Sequence, residues 1–311
     1  MSNMAVNVKA MMNEKKSKRS VLTITEKAAP IFFMACAVVS ILTTIGIVLT
    51  LLIETLSFFS RVSFIDFVTG TTWWPFGENA SYGILPLISG TLLITVVAMI
   101  VAIPIGLASA IYLSEFASEK VRKIVKPILE VLAGIPTIVY GFFALTFVTP
   151  LFQLFISGLP IFNALSPGII VGVMIIPMIA SLSEEAMSSV PNSMREGALA
   201  TGSTRLEVAL KIVVPAALSG IIASFVLGVS RAIGETMIVS VAAGSTPKLT
   251  ADVTESIQTM TGYIVQVTLG DASYGSTTYY SIYAVGMTLF IFTLLMNLLS
   301  QYISRRFKED Y

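Results

Sequence analysis

The stretch Val226–Val241, VLGVSRAIGETMIVSV, is apolar enough for a membrane interior, yet it carries Arg231 and Glu235. The chain around it has 311 residues, 55% hydrophobic and 12% charged, with a mean hydropathy of +0.86. A soluble domain carries roughly twice that share of charge. The chain therefore reads as an all-α integral membrane protein, and the question is why one of its spans holds two opposite charges.

Six apolar runs reach the ~20 residues a helix needs to cross a bilayer. They cover 30–57, 83–113, 127–150, 161–181, 213–244 and 279–303. The first lies too far in, and is too long, for a cleaved signal peptide. Glu26-Lys27 also offers no small-residue cleavage site. It is read as a true span, which makes six transmembrane helices.

The basic residues orient these spans. Lys9, Lys15, Lys16, Lys18, Arg19 and Lys27 precede the first run. Lys120, Arg122, Lys123 and Lys126 follow the second, Arg195, Arg205 and Lys211 follow the fourth, and Arg305, Arg306 and Lys308 follow the sixth. The opposite loops hold only Arg61 and Lys248. The positive-inside rule places both termini in the cytoplasm, and an even number of spans agrees with termini on one side. Residues 1–29, polar and lysine-rich, give no packing reason for structure and are expected to be a disordered tail. Residues 306–311 form a second short tail.

Several function classes fall away. The chain has no histidine, so histidine metal sites, proton relays and catalytic triads are out. Its one cysteine, Cys36, excludes a disulfide within the chain. No cofactor and no nucleic-acid partner is implied; the lipid bilayer is. In the first outer loop, about 58–82, Trp73 and Trp74 suit an interfacial aromatic belt, with docking of an external partner as the other reading. The second outer loop, about 245–278, is rich in Ser, Thr, Gly and Tyr. Pro86, Pro104, Pro136 and Pro177 mark bends in the spans.

A charge at the bilayer centre costs about 2.5–3.5 kcal/mol on translocon scales. Arg231 lies about 24 Å along an ideal helix from Pro215, too far to snorkel back. Glu235 is four residues on, on the same helix face. One reading is a self-neutralised ion pair that fixes packing. The other is an anion site, because a guanidinium stays charged and matches oxyanions with paired donors. Glu235 would then restrain Arg231 or accept a proton. Gly228 and Gly234 would let another helix approach closely. Glu130, beside Lys126, reads as a helix-start carboxylate, with a gating role also open.

The loop of about 184–212 is long for a connection. It reads as two short helices around Gly202, the first with Met194, Ala198 and Leu199 on one face, the second capped by Ser203 or Thr204. Glu196-Gly197-Ala198, then Gly202, then Ile212-Val213-Val214-Pro215 resembles the cytoplasmic signature of ABC importer permeases. That signature is Glu-Ala-Ala, three residues, Gly, nine residues, Ile-x-Leu-Pro. The spacing matches throughout, with Gly197 and Val214 as mild departures.

The resemblance implies a type I ABC importer permease fold over 30–305, with a cytoplasmic coupling helix. In that family the helix sits in a groove of an ATPase, so Glu196, Ala198 and Gly202 would make the contact. The chain has no Gly-Lys pair and hence no P-loop; ATP hydrolysis would belong to the partner. SRAIGET, Ser230–Thr236, and EVLAGIPTIVYG, Glu130–Gly141, resemble phosphate-importer permeases, and TGTTWWP in the first outer loop resembles their PstC-type subunit. That resemblance implies a PstA-like sister permease, two ATPase subunits, an extracytoplasmic phosphate-binding protein, and inorganic phosphate as cargo passing Arg231 and Glu235. Sulfate or molybdate as cargo, and a self-sufficient channel or carrier, are the alternatives.

Overall fold

A computed structural model describes residues 2–77 and 79–306, and the side chains of residues 28–302 other than Glu78, Asp271 and Ser300. The chain divides into two units, Met1–Ile53 and Glu54–Tyr311. The first unit is helical throughout its described length. It belongs to α1, Ser2–Phe59, so the backbone of 2–29 is helical where composition gave no reason for structure. From Ala28 onward α1 is long and apolar enough to span a membrane. Its Ile31, Phe32, Phe33 and Met34 are exposed, which is the low-energy state of such side chains when the solvent is hydrocarbon.

In the second unit, α2 (Phe64–Thr69) is capped by Ser63, whose hydroxyl accepts from Asp66 N. A two-residue hairpin follows, β1 (Trp73–Trp74) against β2 (Ser81–Tyr82), antiparallel with Trp73 opposite Tyr82. Trp73 is 2% exposed while Trp74 is 63% exposed. Trp73 packs edge-on against Tyr263 at 4.8 Å and Tyr82 at 5.8 Å, in a core with Phe58, Phe67, Ile84 and Val285. Only Trp74 is therefore free to face lipid or a partner; Trp73 is a core residue.

The centre is α3 (Leu85–Ile111) against α7 (Leu165–Ser188). A Cβ on Gly172 would stand 2.7 Å from Ala98 O, and one on Gly168 2.7 Å from Val97 Cγ1. Glycine is what lets these backbones approach so closely, a common source of helix adhesion in lipid. Ala98, Ala102, Val171, Met174, Ile175 and Ile179 fill the seam. A wide turn, Tyr112–Phe116, ends α3.

Two further spans are bent. Helix α4 (Glu119–Ala133) meets Thr137–Gln153 at 85°. The second limb contains α5 (Thr137–Phe143), a wide turn and α6 (Thr149–Gln153). Gly134-Ile135-Pro136 makes the break: proline disfavours helix at the residue before it. Hydropathy predicts one helix over 127–150, but the first part of that run lies on α4 beyond the bend. Glu130 is thus an exposed residue of an amphipathic helix, not the start of a span. After α7 come α8 (Asn192–Ala200), α9 (Arg205–Val208), a wide turn and α10 (Val214–Ala216). Arg205–Ala216 meets α11 (Leu218–Ile233) at 72°. The chain breaks again before α12 (Met237–Ala242), so 213–244 is not one straight helix either.

The loop of about 245–278 is ordered by its backbone. Leu165 N donates to Val253 O at 2.8 Å, Ile257 N to Ala243 O at 3.1 Å, and Met260 N to Thr91 Oγ1 at 3.0 Å. It ends in α13 (Met260–Gln266), capped by Thr259. Helix α14 (Thr277–Arg306) closes the fold. Four helices are long and apolar enough to cross a membrane, and two bent pairs bring the number to six if each pair is one span.

Candidate functional site

The break in the fifth apolar run decides what Arg231 and Glu235 can do. Helix α11 stops at Ile233, and Gly234 holds φ −85° and ψ −1°. Glu235 is 7% exposed and folds back on α12: its Oε1 accepts from Met237 N at 3.1 Å and Ile238 N at 3.2 Å. A helix leaves its first N–H groups without partners, and this carboxylate supplies two. Its carbonyl accepts from Thr261 Oγ1 at 2.7 Å. The four-residue spacing that would align Arg231 with Glu235 does not exist, because the helix does not continue between them. Among the described residues Arg231 makes no ion pair and no hydrogen bond. The self-neutralised pair is absent.

Arg231 sits in the last turn of α11, where a cation is favoured by the helix dipole. Its side chain is exposed into a cavity of about 310 Å³. Leu113 of the wide turn, Lys126 and Glu130 of α4, and Pro177, Met178 and Ser181 of α7 share that cavity. Ser230 Oγ donates to Asn297 Oδ1 at 2.9 Å, fixing α11 to α14 beside Arg231. The result is an unneutralised guanidinium in a half-apolar space, able to take an anion through paired donors.

Two carboxylates at the basic end of the bundle, Glu115 and Glu184, belong to no motif in the sequence. Glu115 pairs with Arg195 of α8 at 3.0 Å. Arg195 also donates to Val190 O at 2.6 Å and Met187 O at 2.8 Å, so it roots α8 on α7 and on the end of α3. Glu184, 1% exposed, lies 2.5 Å from Lys126 Nζ and 3.7 Å from Arg122 Nε. Each carboxylate ends an apolar run that faces a basic loop, and that placement is the one signal by which the sequence marks them.

The elbow forms as its residues suggest. Gly202 holds φ +91°, and a Cβ placed there would meet open space, so backbone conformation rather than crowding requires glycine. Thr204 and Glu207 form a reciprocal capping box at α9. The Thr204 N–H, and then Lys211, push the Glu207 carboxyl down to about 2. Glu196, Gly202 and Leu199 are exposed, whereas Met194 and Ala198 pack toward Val190, Val208 and Val213. Ala198 thus supports the elbow from inside more than it lines its surface. No cluster of metal-ligating residues occurs among the described residues.

The fold, a helical membrane bundle with broken spans, an arginine unpaired among the described residues beside a cavity and an exposed elbow at one end, is that of a transport permease. The chain belongs to the family of binding-protein-dependent transport system inner membrane components, whose pattern matches residues 102–309. It is a multi-pass inner-membrane protein and an ABC importer permease subunit of PstC-like type. It is 36% identical over 276 residues to the "Probable ABC transporter permease protein YqgH" of Bacillus subtilis, covering 88% of this chain and 89% of that one. It is 34% identical to the phosphate transport system permease protein PstC of Xylella fastidiosa, covering 74% of this chain and 75% of that one. Its fold is similar to that of a chain in a bacterial alginate ABC transporter solved in complex with an alginate pentasaccharide-bound periplasmic protein. That match has a TM-score of 0.63 at 18% identity and covers 89% of this chain and 95% of that one.

Proposed function

We propose that this chain is half of the translocation path of an ATP-driven importer for inorganic phosphate. A PstA-like sister permease forms the other half. Two ATPase subunits bind at the basic end of the bundle, on the cytoplasmic side with both termini. An extracytoplasmic phosphate-binding protein delivers the cargo to the outer loops. Glu196 and Gly202, on the surface of the elbow, meet the ATPase, and Ala198 holds the elbow's inner face. ATP binding then moves the elbow, and Arg195 with Glu115 passes that movement to α7 and α3.

The observation that carries the reading is Arg231, unpaired beside a cavity in a membrane span. A fixed cation is costly in such a place, and a passing oxyanion offsets that cost. Glu235 shapes this path by holding α12 rather than by touching the guanidinium. Phosphate among the oxyanions is supported by the similarity to PstC proteins.

The test is ATP-dependent uptake of labelled phosphate by vesicles holding this chain with its sister permease, ATPase and binding protein. Uptake resists excess sulfate and molybdate. Arg231→Gln lowers it on the order of tenfold to a hundredfold, about 1.4–2.8 kcal/mol, while the complex still assembles. Uptake unchanged by Arg231→Gln removes Arg231 from the path. An assembled complex that carries sulfate or molybdate instead of phosphate moves the cargo.

A further inference from the structure

The wall that α4 gives to the Arg231 cavity carries a second cation, Lys126. Its Nζ lies 2.5 Å from Glu184 Oε2, and its side chain is 36% exposed. Glu184 is otherwise deep, its side chain 2% exposed, and its Oε1 also accepts from Ser188 Oγ at 3.0 Å. Arg122 stands behind it at 3.7 Å. The two cations around Glu184 are not equivalent. Arg122 is committed to backbone, donating to Leu113 O at 2.7 Å and to Ser114 O at 3.2 Å. Only Lys126 also faces the cavity.

A buried carboxylate stripped of every partner is strongly destabilising. Arg122 and Ser188 mean that Glu184 is never left so, and Lys126 is free to exchange partners. An anion in this cavity meets Arg231, which has no carboxylate to leave, and Lys126, which has one.

We infer that Lys126 and Arg231 form a two-cation station for an oxyanion, with Glu184 reclaiming Lys126 as the anion departs. The inference rests on the reading of this cavity as an anion path, and it holds for any tetrahedral oxyanion cargo. Arg231 offers a planar fork of donors and Lys126 a mobile point charge. Two cations hold the anion, and the return of Lys126 to Glu184 lowers the cost of letting it go. Glu130, exposed on the same wall, adds a negative charge that opposes long retention.

The complete complex is reconstituted, and uptake is followed for whichever of labelled phosphate, sulfate or molybdate it carries. The same anion, unlabelled, is then titrated on the ATPase side until uptake halves. Lys126→Gln raises that concentration on the order of tenfold, Lys126→Arg restores it, and Glu184→Gln, which frees Lys126, lowers it. A plain ion pair that only pins α4 to α7 gives shifts under twofold, or the same direction for Lys126→Gln and Glu184→Gln; either result overturns the inference. If a single variant fails to assemble, Lys126→Met with Glu184→Met replaces the pair by apolar side chains, a change proteins often tolerate. A rise on the order of tenfold in the double variant supports the station, and no change overturns it. Carriage of sulfate or molybdate instead of phosphate sinks the cargo reading and leaves the station to be judged in that anion. A wild-type complex that no oxyanion inhibits from the ATPase side sinks the station itself.

Discussion

Glu235 is a charged residue in an apolar span whose charge is spent on the backbone. Its carboxylate satisfies two N–H groups at the start of α12, which lipid could not satisfy. Glu235→Ala removes both acceptors and is expected to cost about 0.5–2 kcal/mol, the range of a lost helix cap. Glu235→Gln keeps a side-chain oxygen there and loses less. Denaturant titration of the purified chain in detergent, followed by helical signal, checks the order: wild type, then Gln, then Ala. Equal loss in both variants would mean that the negative charge, not the acceptor, is what the site needs. The sequence could not reveal this role. Four-residue spacing implies a shared face only while the helix continues, and Gly234 interrupts it with backbone angles that many residues adopt.

At the scale of elements, the elbow carries its own pH signature. The Glu207 carboxyl is held down to about 2, first by the Thr204 N–H and then by Lys211. A carboxylate with a depressed folded value adds stability that is fully present above its unfolded range, near 4.5. That stability is lost as pH falls toward 2. Amide exchange at Arg205–Val208, corrected for intrinsic rates, is therefore flat from pH 7 to about 5 and speeds up below that. Glu207→Gln is flat across the whole interval. Gly202→Ala tests the turn separately. The position has room for a methyl group but holds φ +91°, so the cost is backbone strain of about 1–2 kcal/mol. If the elbow docks the ATPase, this variant uncouples ATP hydrolysis from uptake without dissociating α8 from Glu115. The cap at Thr204 and the turn at Gly202 were legible in the sequence, because each acts within a few residues; of the prolines read as bends, Pro86 instead opens α3, and Pro104 and Pro177 lie inside the unbroken helices α3 and α7. The 85° turn before Thr137 was not, although Pro136 marks it. The apolar side of α4 runs on into α5, and hydropathy reads the two as one span. Glu115–Arg195 and Glu184–Lys126 were invisible for a different reason: each joins residues far apart in sequence, the first between the wide turn after α3 and α8, the second between α7 and α4.

At the scale of the whole molecule, the asymmetry of charge predicts an orientation. Arg122, Lys126, Arg195 and Lys211 lie at the end of the bundle that carries α4 and the elbow. The loop with Lys248 and Glu255, which pair with each other, lies at the other. Membrane insertion counts lysine and arginine near the spans, so the elbow end is expected in the cytoplasm, the side on which the proposed ATPase would find its nucleotide. Cys36, the one cysteine and exposed on α1, is first changed to serine. Single cysteines are then placed at Ser245 on the loop that holds Lys248 and at Ser193 on α8, both exposed. A membrane-impermeant maleimide added to intact cells labels Ser245→Cys. It labels Ser193→Cys only after the membrane is opened. The opposite pattern would turn the bundle over, put the elbow where no ATP exists, and leave Arg231 at the wrong end of an import path. Labelling of Ser193→Cys that is blocked in the assembled complex, yet open in the chain alone, is what a docked ATPase requires.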